Sequence, residues 1–392
     1  MNRNKIIQRL KTISLFGMSQ LLSVFSVLLL SFIIVKYHSV ELWGEYAELL
    51  IWTNVFLLFL SFGNNDYLLK SFSKLPSNIN QKWTNNLLSR SLLLIPSIVL
   101  IYFIPIFNHL EIILLLLVLL QFLTQSFKVL IVYHRKFILN IWVELGYNLV
   151  LIFCVFYWMD SLNLKTLLIS LVIAQGIKLL MFSGFLLKDF KNITLQFNLN
   201  ELKKSTPFFI PLAVGTFRTK IDAYYGTHFF SVTNLSKYQI FLSFLALAQM
   251  ASSFVITPYL KNFYRSSNSV ISKIKNQFFI YGWGFAIIIT FLMFLGISKI
   301  YLLDFTFLQY GLAFIFMIPL FLHVLLVSEY YKKDKQYKIA QFASIVVLFQ
   351  VIAGYFLIKN FDINGALILK VLGQWGIVIV LWVWIRKEKN ND

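Results

Sequence analysis

The sequence predicts an all-α polytopic membrane protein with twelve transmembrane helices in two pseudo-symmetric six-helix bundles. Three observations support this fold class: the hydropathy, the length of the apolar runs and the placement of basic residues. Of the 392 residues, 59% are hydrophobic and the mean hydropathy is +0.75, whereas the apolar share of soluble domains is about 45–50%. The solvent of this chain is therefore a lipid bilayer.

Apolar runs of about 20 residues, the length of a membrane-spanning helix, follow one another along the whole chain. The first run reaches Lys36 without a small-residue cleavage pattern, so we expect a retained helix rather than a signal peptide. The seventh run contains three charges, and no loop is long enough to be a domain. The twelve predicted spans are residues 12–35, 46–64, 86–107, 110–132, 140–159, 163–187, 205–229, 235–259, 277–299, 303–327, 338–358 and 365–385.

Basic residues alternate from loop to loop. The two tails and the even-numbered loops hold 25 of the 35 Lys and Arg residues, with Arg90 counted at the edge of the second loop, and the odd-numbered loops hold five. This distribution predicts cytoplasmic tails under the positive-inside rule. It also explains the net charge of +19 by orientation and by contact with anionic membrane lipids, so we expect no nucleic-acid partner. The five odd-loop residues are Lys36, Lys165, Lys237, Lys299 and Lys359.

A weak internal repeat supports two halves. A shift of 192 residues aligns LKTIS (10–14) with LKKST (202–206), and HSVELWGEY (38–46) with FSVTNLSKY (230–238). Because the shift superposes span one on span seven, both halves enter the membrane in the same direction. The repeat predicts bundles at 1–195 and 196–392, a pseudo-twofold axis along the membrane normal and a cavity between the bundles.

The sequence contains no motif that predicts a cofactor. Cys154, the only cysteine, lies in an apolar span, which excludes a disulfide within the chain and favours a buried structural thiol. The five histidines lack metal-ligand spacing, and there is no phosphate-binding loop. We therefore expect neither a metal nor another cofactor.

Charged residues inside the predicted spans are the candidate functional residues. A lipid-facing charge near the middle of a bilayer costs about 3 kcal/mol or more, so these groups must face protein, water or a ligand. Five cations against two carboxylates leave a net positive interior, which favours an anionic guest. The seven residues are Lys128, Glu144, Lys178, Arg218, Lys220, Asp222 and Lys370.

The seventh span concentrates three of these charges. Arg218 and Asp222 are four residues apart and share one helix face, so we expect them to pair. The pair is either a structural link between helices or a cavity element that anchors an anion or is remade during transport. Lys220 points to the opposite face unless the helix is irregular, which the preceding Pro207 and Pro211 favour.

The remaining span cations leave alternatives open. For Lys128 and Lys178, packing or snorkelling is as compatible with the sequence as ligand contact. For Lys370, which lies a few residues into the last span, a structural role is favoured.

Several stretches resemble the bacterial polysaccharide and O-antigen flippases, the oligosaccharide branch of the multidrug/oligosaccharidyl-lipid/polysaccharide exporter superfamily. The resemblance is carried by Pro207 through Arg218-x-x-x-Asp222 and by LSKYQIFLSFLALAQ (235–249) and TPYLKNFYR (257–265). It extends to WGEYAELLIWTNVFLLFLSFGNNDYLLKS (43–71) and NGALILKVLGQW (364–375).

The resemblance implies alternating-access transport of an undecaprenyl-diphosphate-linked oligosaccharide across the bacterial inner membrane, for O-antigen, lipopolysaccharide or other surface polysaccharide biosynthesis. It implies site roles for Arg218 and Asp222, and a polysaccharide polymerase and chain-length machinery as partners. The positive interior adds Lys220, Lys128 and Lys178 as candidate substrate-binding residues, because a diphosphate is a suitable guest.

Two rival classes remain. A membrane enzyme acting on lipid-linked sugars would be expected to place its catalytic residues on a sizeable external loop, which this chain lacks, so we expect no enzyme activity. A multidrug exporter of the same superfamily commonly uses an acidic residue in the first helix, whereas the span from Thr12 to Val35 contains no acid. A scramblase or a flippase for a lipid-linked peptidoglycan precursor is compatible with the same charges.

Overall fold

The computed structural model describes residues 3–74, 76–104, 107, 109–188, 190, 194, 196–256, 263, 266–333 and 335–391. Over these residues the chain forms α-helices with short 3₁₀ and π turns and no strands. The predicted all-α membrane fold is confirmed. Of the resemblance stretch TPYLKNFYR, all but Phe263 lies outside the described residues.

Fifteen α-helices occur within the described ranges. The first nine are α1 (Arg3–Tyr37), α2 (Val40–Ser61), α3 (Asn64–Lys74), α4 (Ile79–Ser91), α5 (Leu94–Phe103), α6 (Glu111–Ser126), α7 (Lys128–His134), α8 (Phe137–Tyr157) and α9 (Leu164–Leu186). The other six are α10 (Leu199–Phe229), α11 (Val232–Ile256), α12 (Asn268–Leu295), α13 (Phe307–Met317), α14 (Leu320–Lys332) and α15 (Gln336–Asn391).

Two compact units divide the chain. The first comprises Met1–Ser26 and Tyr37–Leu212, and the second comprises Val27–Lys36 and Ala213–Asp392. Both α1 and α10 therefore contribute residues to each unit. The division at 195/196 and the pseudo-twofold axis stay predictions.

Ten segments of the described chain are long and apolar enough to cross a membrane. One of them, Tyr337–Lys387, has 51 residues and covers the predicted spans 338–358 and 365–385. Its backbone leaves the helical region at Asp362, which has φ 51° and ψ −132°. The predicted seventh span, with its three charges, is not among the ten, so the count of twelve is not confirmed.

The end of α2 requires a glycine. Phe62 and Gly63 adopt φ 42° and 70°, a left-handed conformation that terminates the helix. A Cβ on Gly63 would lie 2.7 Å from the backbone nitrogen of Phe209, and the Phe62 ring stacks on Phe209 at 4.5 Å. Glycine thus lets the α2–α3 turn approach the backbone of α10 within the first unit.

Arg90 of α4 is a buried cation held by helix ends. It is 2% exposed and donates hydrogen bonds to Asn86 Oδ1, the Leu60 carbonyl and Ser126 Oγ at 2.8–3.0 Å. Leu60 and Ser126 lie in the last turns of α2 and α6, where the helix dipole favours positive charge. Arg90 therefore links three helices of the first unit.

Candidate functional site: charged clusters in the spanning helices

Asp222 is at the centre of a charged cluster in the second unit. Its Oδ2 lies 3.0 Å from Nζ of Lys370 on α15 and accepts a hydrogen bond from the hydroxyl of Tyr238 on α11. Asp222 is 1% exposed and the Lys370 side chain 10%. The predicted Arg218–Asp222 pair is therefore wrong: side chains from two other helices bind Oδ2, and Oδ1 has no hydrogen-bond partner within the described residues.

Arg218 lies against α15 instead. Its Nη1 is 3.4 Å from both the Gly373 carbonyl and Gln374 Oε1, which are long distances for hydrogen bonds. Arg218 is four residues before Asp222 on α10, and Gln374 is four residues after Lys370 on α15, as expected for antiparallel neighbours. Most donors of this half-buried guanidinium have no acceptor within the described residues.

Lys220 adds a further cation to this cluster. The half-buried Lys220 interacts electrostatically with Lys370 and Asp222, although α10 is continuous through both prolines. Its ammonium has no hydrogen-bond acceptor within the described ranges. The second-unit cluster of Arg218, Lys220, Lys370 and Asp222 thus holds three cations and one carboxylate.

Lys178 and Glu144 form an ion pair in the first unit. Nζ of Lys178 on α9 is 2.7 Å from Oε1 of Glu144 on α8, and the two side chains are 13% and 5% exposed. The ammonium also lies 4.9 Å from the centre of the Tyr147 ring, a cation–π distance. The charge of Lys178 is therefore largely compensated by its own unit.

Lys128, the first residue of α7, has an exposed side chain. It lies at a small groove of about 20 Å³ in the first unit, and it interacts electrostatically with Lys178 and Glu144. The first-unit cluster of Lys128, Lys178 and Glu144 thus holds two cations and one carboxylate. The polar residues that share the groove with Lys128 are Ser19, Gln20 and Ser23 of α1 and Asn140 and Glu144 of α8.

The structure thus distributes the five predicted site residues over two clusters. Arg218, Lys220 and Asp222 lie in the second-unit cluster, and Lys128 and Lys178 in the first. The sequence analysis missed Tyr238, Gln374 and the role of Lys370 as the partner of Asp222. Lys370 and Gln374 are four residues apart, as are Arg218 and Asp222, and this matching spacing was the sequence signal that the two helices could pair through these residues. The described part of the chain contains no cluster of three or more His, Cys, Asp or Glu side chains that could hold a metal ion.

Solved membrane transport proteins have a fold similar to that of this chain. No family model matches the sequence, and no curated protein matches it either. Among solved structures, the chain is similar to the lipid II flippase MurJ in an inward closed conformation, with a TM-score of 0.72, 17% identity and coverage of 95% of this chain and 87% of that one.

Multidrug and toxin extrusion (MATE) transporters share the fold. An outward-facing multidrug resistance MATE transporter of the multidrug/oligosaccharidyl-lipid/polysaccharide (MOP) superfamily has a TM-score of 0.59 and 12% identity, covering 98% of this chain and 95% of that one. The Vibrio cholerae MATE transporter VcmN has a TM-score of 0.54 and 13% identity, with coverage of 99% and 97%. At these identities the likeness defines the fold alone.

Proposed function

We propose that this chain is a transport protein, a flippase that moves an undecaprenyl-diphosphate-linked oligosaccharide across the bacterial cytoplasmic membrane by alternating access. Its role would be in O-antigen or other surface polysaccharide biosynthesis. The observation that carries the proposal is the excess of cations over carboxylates in the charged cluster of each unit. Lys370 and Lys178 are bound by carboxylates, whereas Arg218, Lys220 and Lys128 are not.

The unpaired cations match the charge of a diphosphate. An uncompensated charge in a spanning segment is unfavourable unless water or an anion solvates it. A diphosphate brings about two negative charges, and a guanidinium with free donors can bind phosphate oxygens in a bidentate manner. Arg218 and Lys220 on α10 are therefore assigned to the diphosphate, and Lys128 to another anionic or polar part of the headgroup.

Fold similarity supports a lipid-linked substrate. MurJ is a lipid II flippase, and a lipid-linked oligosaccharide likewise joins a long lipid to sugars. The MATE similarity favours a multidrug exporter as the second candidate. Its cationic substrates would be repelled by the excess positive charge of both clusters, so we rank it below the flippase.

The remaining assignments follow from the same function. Both tails are placed in the cytoplasm, as the basic residues of the even-numbered loops indicate. A polysaccharide polymerase and chain-length machinery are the expected partners on the far side of the membrane.

The test is complementation of a strain that lacks this gene. Arg218→Ala and Lys220→Ala should abolish surface polysaccharide, detected by immunoblotting, while the protein remains at wild-type level in the membrane. The matched control is Lys203→Ala, which removes an exposed cation from the same helix and should leave polysaccharide normal. Normal polysaccharide from both cluster variants would contradict the proposal.

Two further assays separate the candidates. Rescue of cells depleted of their lipid II flippase would assign the chain to the peptidoglycan precursor instead. Increased tolerance to cationic drugs that survives Arg218→Ala would assign it to drug export.

A further inference from the structure

A second groove lies within the second unit between α12 and α15. Its volume is about 250 Å³, and Leu322 of α14 also lines it. Both walls belong to candidate membrane spans, Ser269–Ile300 and Tyr337–Lys387. The groove is therefore available to molecules dissolved in the bilayer.

One end of this groove is polar. Ser272 and Asn276 come from the beginning of α12, and Arg386 comes from near the end of α15. Because the beginning of one span and the end of another share this groove, its polar end lies at a membrane interface. The basic loops place that interface on the cytoplasmic side, where the leaflet is anionic.

Arg386 supplies the net charge of the polar end. The other lining cation, Lys275, is buried and bound to Glu329 of α14 at 2.6 Å. The exposed Arg386 guanidinium lies 4.3 Å from the centre of the Trp382 ring, and no carboxylate bridges it within the described residues. Its hydrogen-bond donors are therefore available to an anion.

The rest of the groove is apolar. Phe279, Leu322 and Val378 line it together with Ile379, which is 49% exposed, and Trp382, which is 42% exposed. The indole nitrogen of Trp375 is already bound to the Ile315 carbonyl at 2.9 Å, so this ring offers only its apolar surface. An apolar channel that ends at a cation fits an amphiphile with an acyl chain and an anionic head.

We propose that the α12–α15 groove is a binding site for an anionic phospholipid of the cytoplasmic leaflet, whose phosphate contacts Arg386 and whose acyl chain lies along Trp382, Ile379 and Phe279. None of the proposed substrate-binding residues Arg218, Lys220 and Lys128 lines this groove, so the lipid site can be tested independently of the flippase function.

Lipid titration of the detergent-purified full chain tests the proposal. Phosphatidylglycerol (POPG) and phosphatidylcholine (POPC) with identical acyl chains are added, and bound lipid is counted by native mass spectrometry. We expect tighter binding of POPG, and Arg386→Ala should weaken it about fivefold, the effect of about 1 kcal/mol for one cation at a lipid headgroup. Lys387→Ala is the matched control, because it removes the neighbouring exposed cation that does not line the groove.

Two more variants complete the design. Trp382→Leu should weaken both lipids, since it removes apolar contact and leaves the charge in place. If Arg386→Ala is not monodisperse, Arg386→Gln supplies the same charge comparison with most of the side chain retained.

Several results would overturn the site. Equal loss of POPG binding in the Arg386 and Lys387 variants would show only general attraction to basic residues. Equal affinity for the two lipids would remove the role of the headgroup charge. Displacement of POPG by millimolar glycerol 3-phosphate would identify a free phosphate site instead of a lipid site.

Discussion

Asp222 and Lys370 form an ion pair whose members can be replaced one at a time or together, and the structure predicts how each replacement changes the stability of the protein. The Lys370 side chain is 10% exposed and its Nζ lies 3.0 Å from Asp222. Asp222→Ala leaves this ammonium buried without its carboxylate, and Lys370→Met leaves the carboxylate without its ammonium. Each single change should lower the free energy of unfolding by about 3–5 kcal/mol.

The double variant Asp222→Ala/Lys370→Met should be more stable than Asp222→Ala alone. It buries no unpaired member of the pair, and its main remaining cost is the Tyr238 hydroxyl, which loses its acceptor, at about 1–3 kcal/mol. We therefore expect the double variant to regain about 2 kcal/mol or more, measured by SDS-induced unfolding in mixed micelles and analysed as a double-mutant cycle. Strictly additive losses would refute the buried pair.

The same double variant tests whether the Asp222–Lys370 bridge is purely structural or is broken and remade during transport. It removes one cation and one anion, so the excess of two cations, Arg218 and Lys220, is unchanged. If the excess binds the substrate, surface polysaccharide should persist in this variant and vanish in Arg218→Ala. A stable double variant that makes no polysaccharide would show that the bridge is broken and remade during transport.

Four other variants should have distinct outcomes. Arg90→Ala should lower the free energy of unfolding by about 3 kcal/mol or more, because three buried acceptors lose their donor; a melting temperature equal to that of the wild type would contradict the helix-end role. Gly63→Ala should reduce the amount of folded protein, measured by size-exclusion fluorescence, because the new Cβ meets the Phe209 backbone at a positive φ. Lys178→Met should lower the melting temperature, because it leaves its carboxylate partner unpaired. Lys128→Met should preserve the melting temperature and reduce transport. A stable Lys178 variant together with an unstable Lys128 variant would reverse the roles assigned to the two lysines.

Hydropathy predicted the membrane spans better than it predicted their interruptions. The spans 86–107 and 110–132 each contain two helices, α4 with α5 and α6 with α7. An apolar run reports the preference for lipid and is insensitive to a local turn within the run. Pro96 marks the first interruption, because proline restricts the residues before it, whereas Phe127 leaves no such mark.

The site was harder to predict because its contacts join distant positions. Helical spacing placed Arg218 and Asp222 on one face, which is correct for a continuous α10, but it cannot show what faces them. Asp222 and Lys370 are 148 residues apart, and Tyr238 approaches from a third helix. A carboxylate pairs with whichever cation the tertiary packing brings nearest, so local spacing alone suggested the wrong partner.

Pairing divides the charges of these helices into two groups with different consequences. In a bridge the Coulombic gain roughly offsets the desolvation cost, so the bridge fixes helix positions more than it adds stability. Because such a carboxylate carries one negative charge and already has a counter-ion, it does not neutralise a second cation beside it. Arg218, Lys220 and Lys128 are therefore the cations available to bind an anion. Removing one of these charges should affect transport more than stability, and removing a member of a bridge should affect stability more than transport. The bridges of this kind in the described chain include Glu144–Lys178, Asp222–Lys370 and Glu329–Lys275.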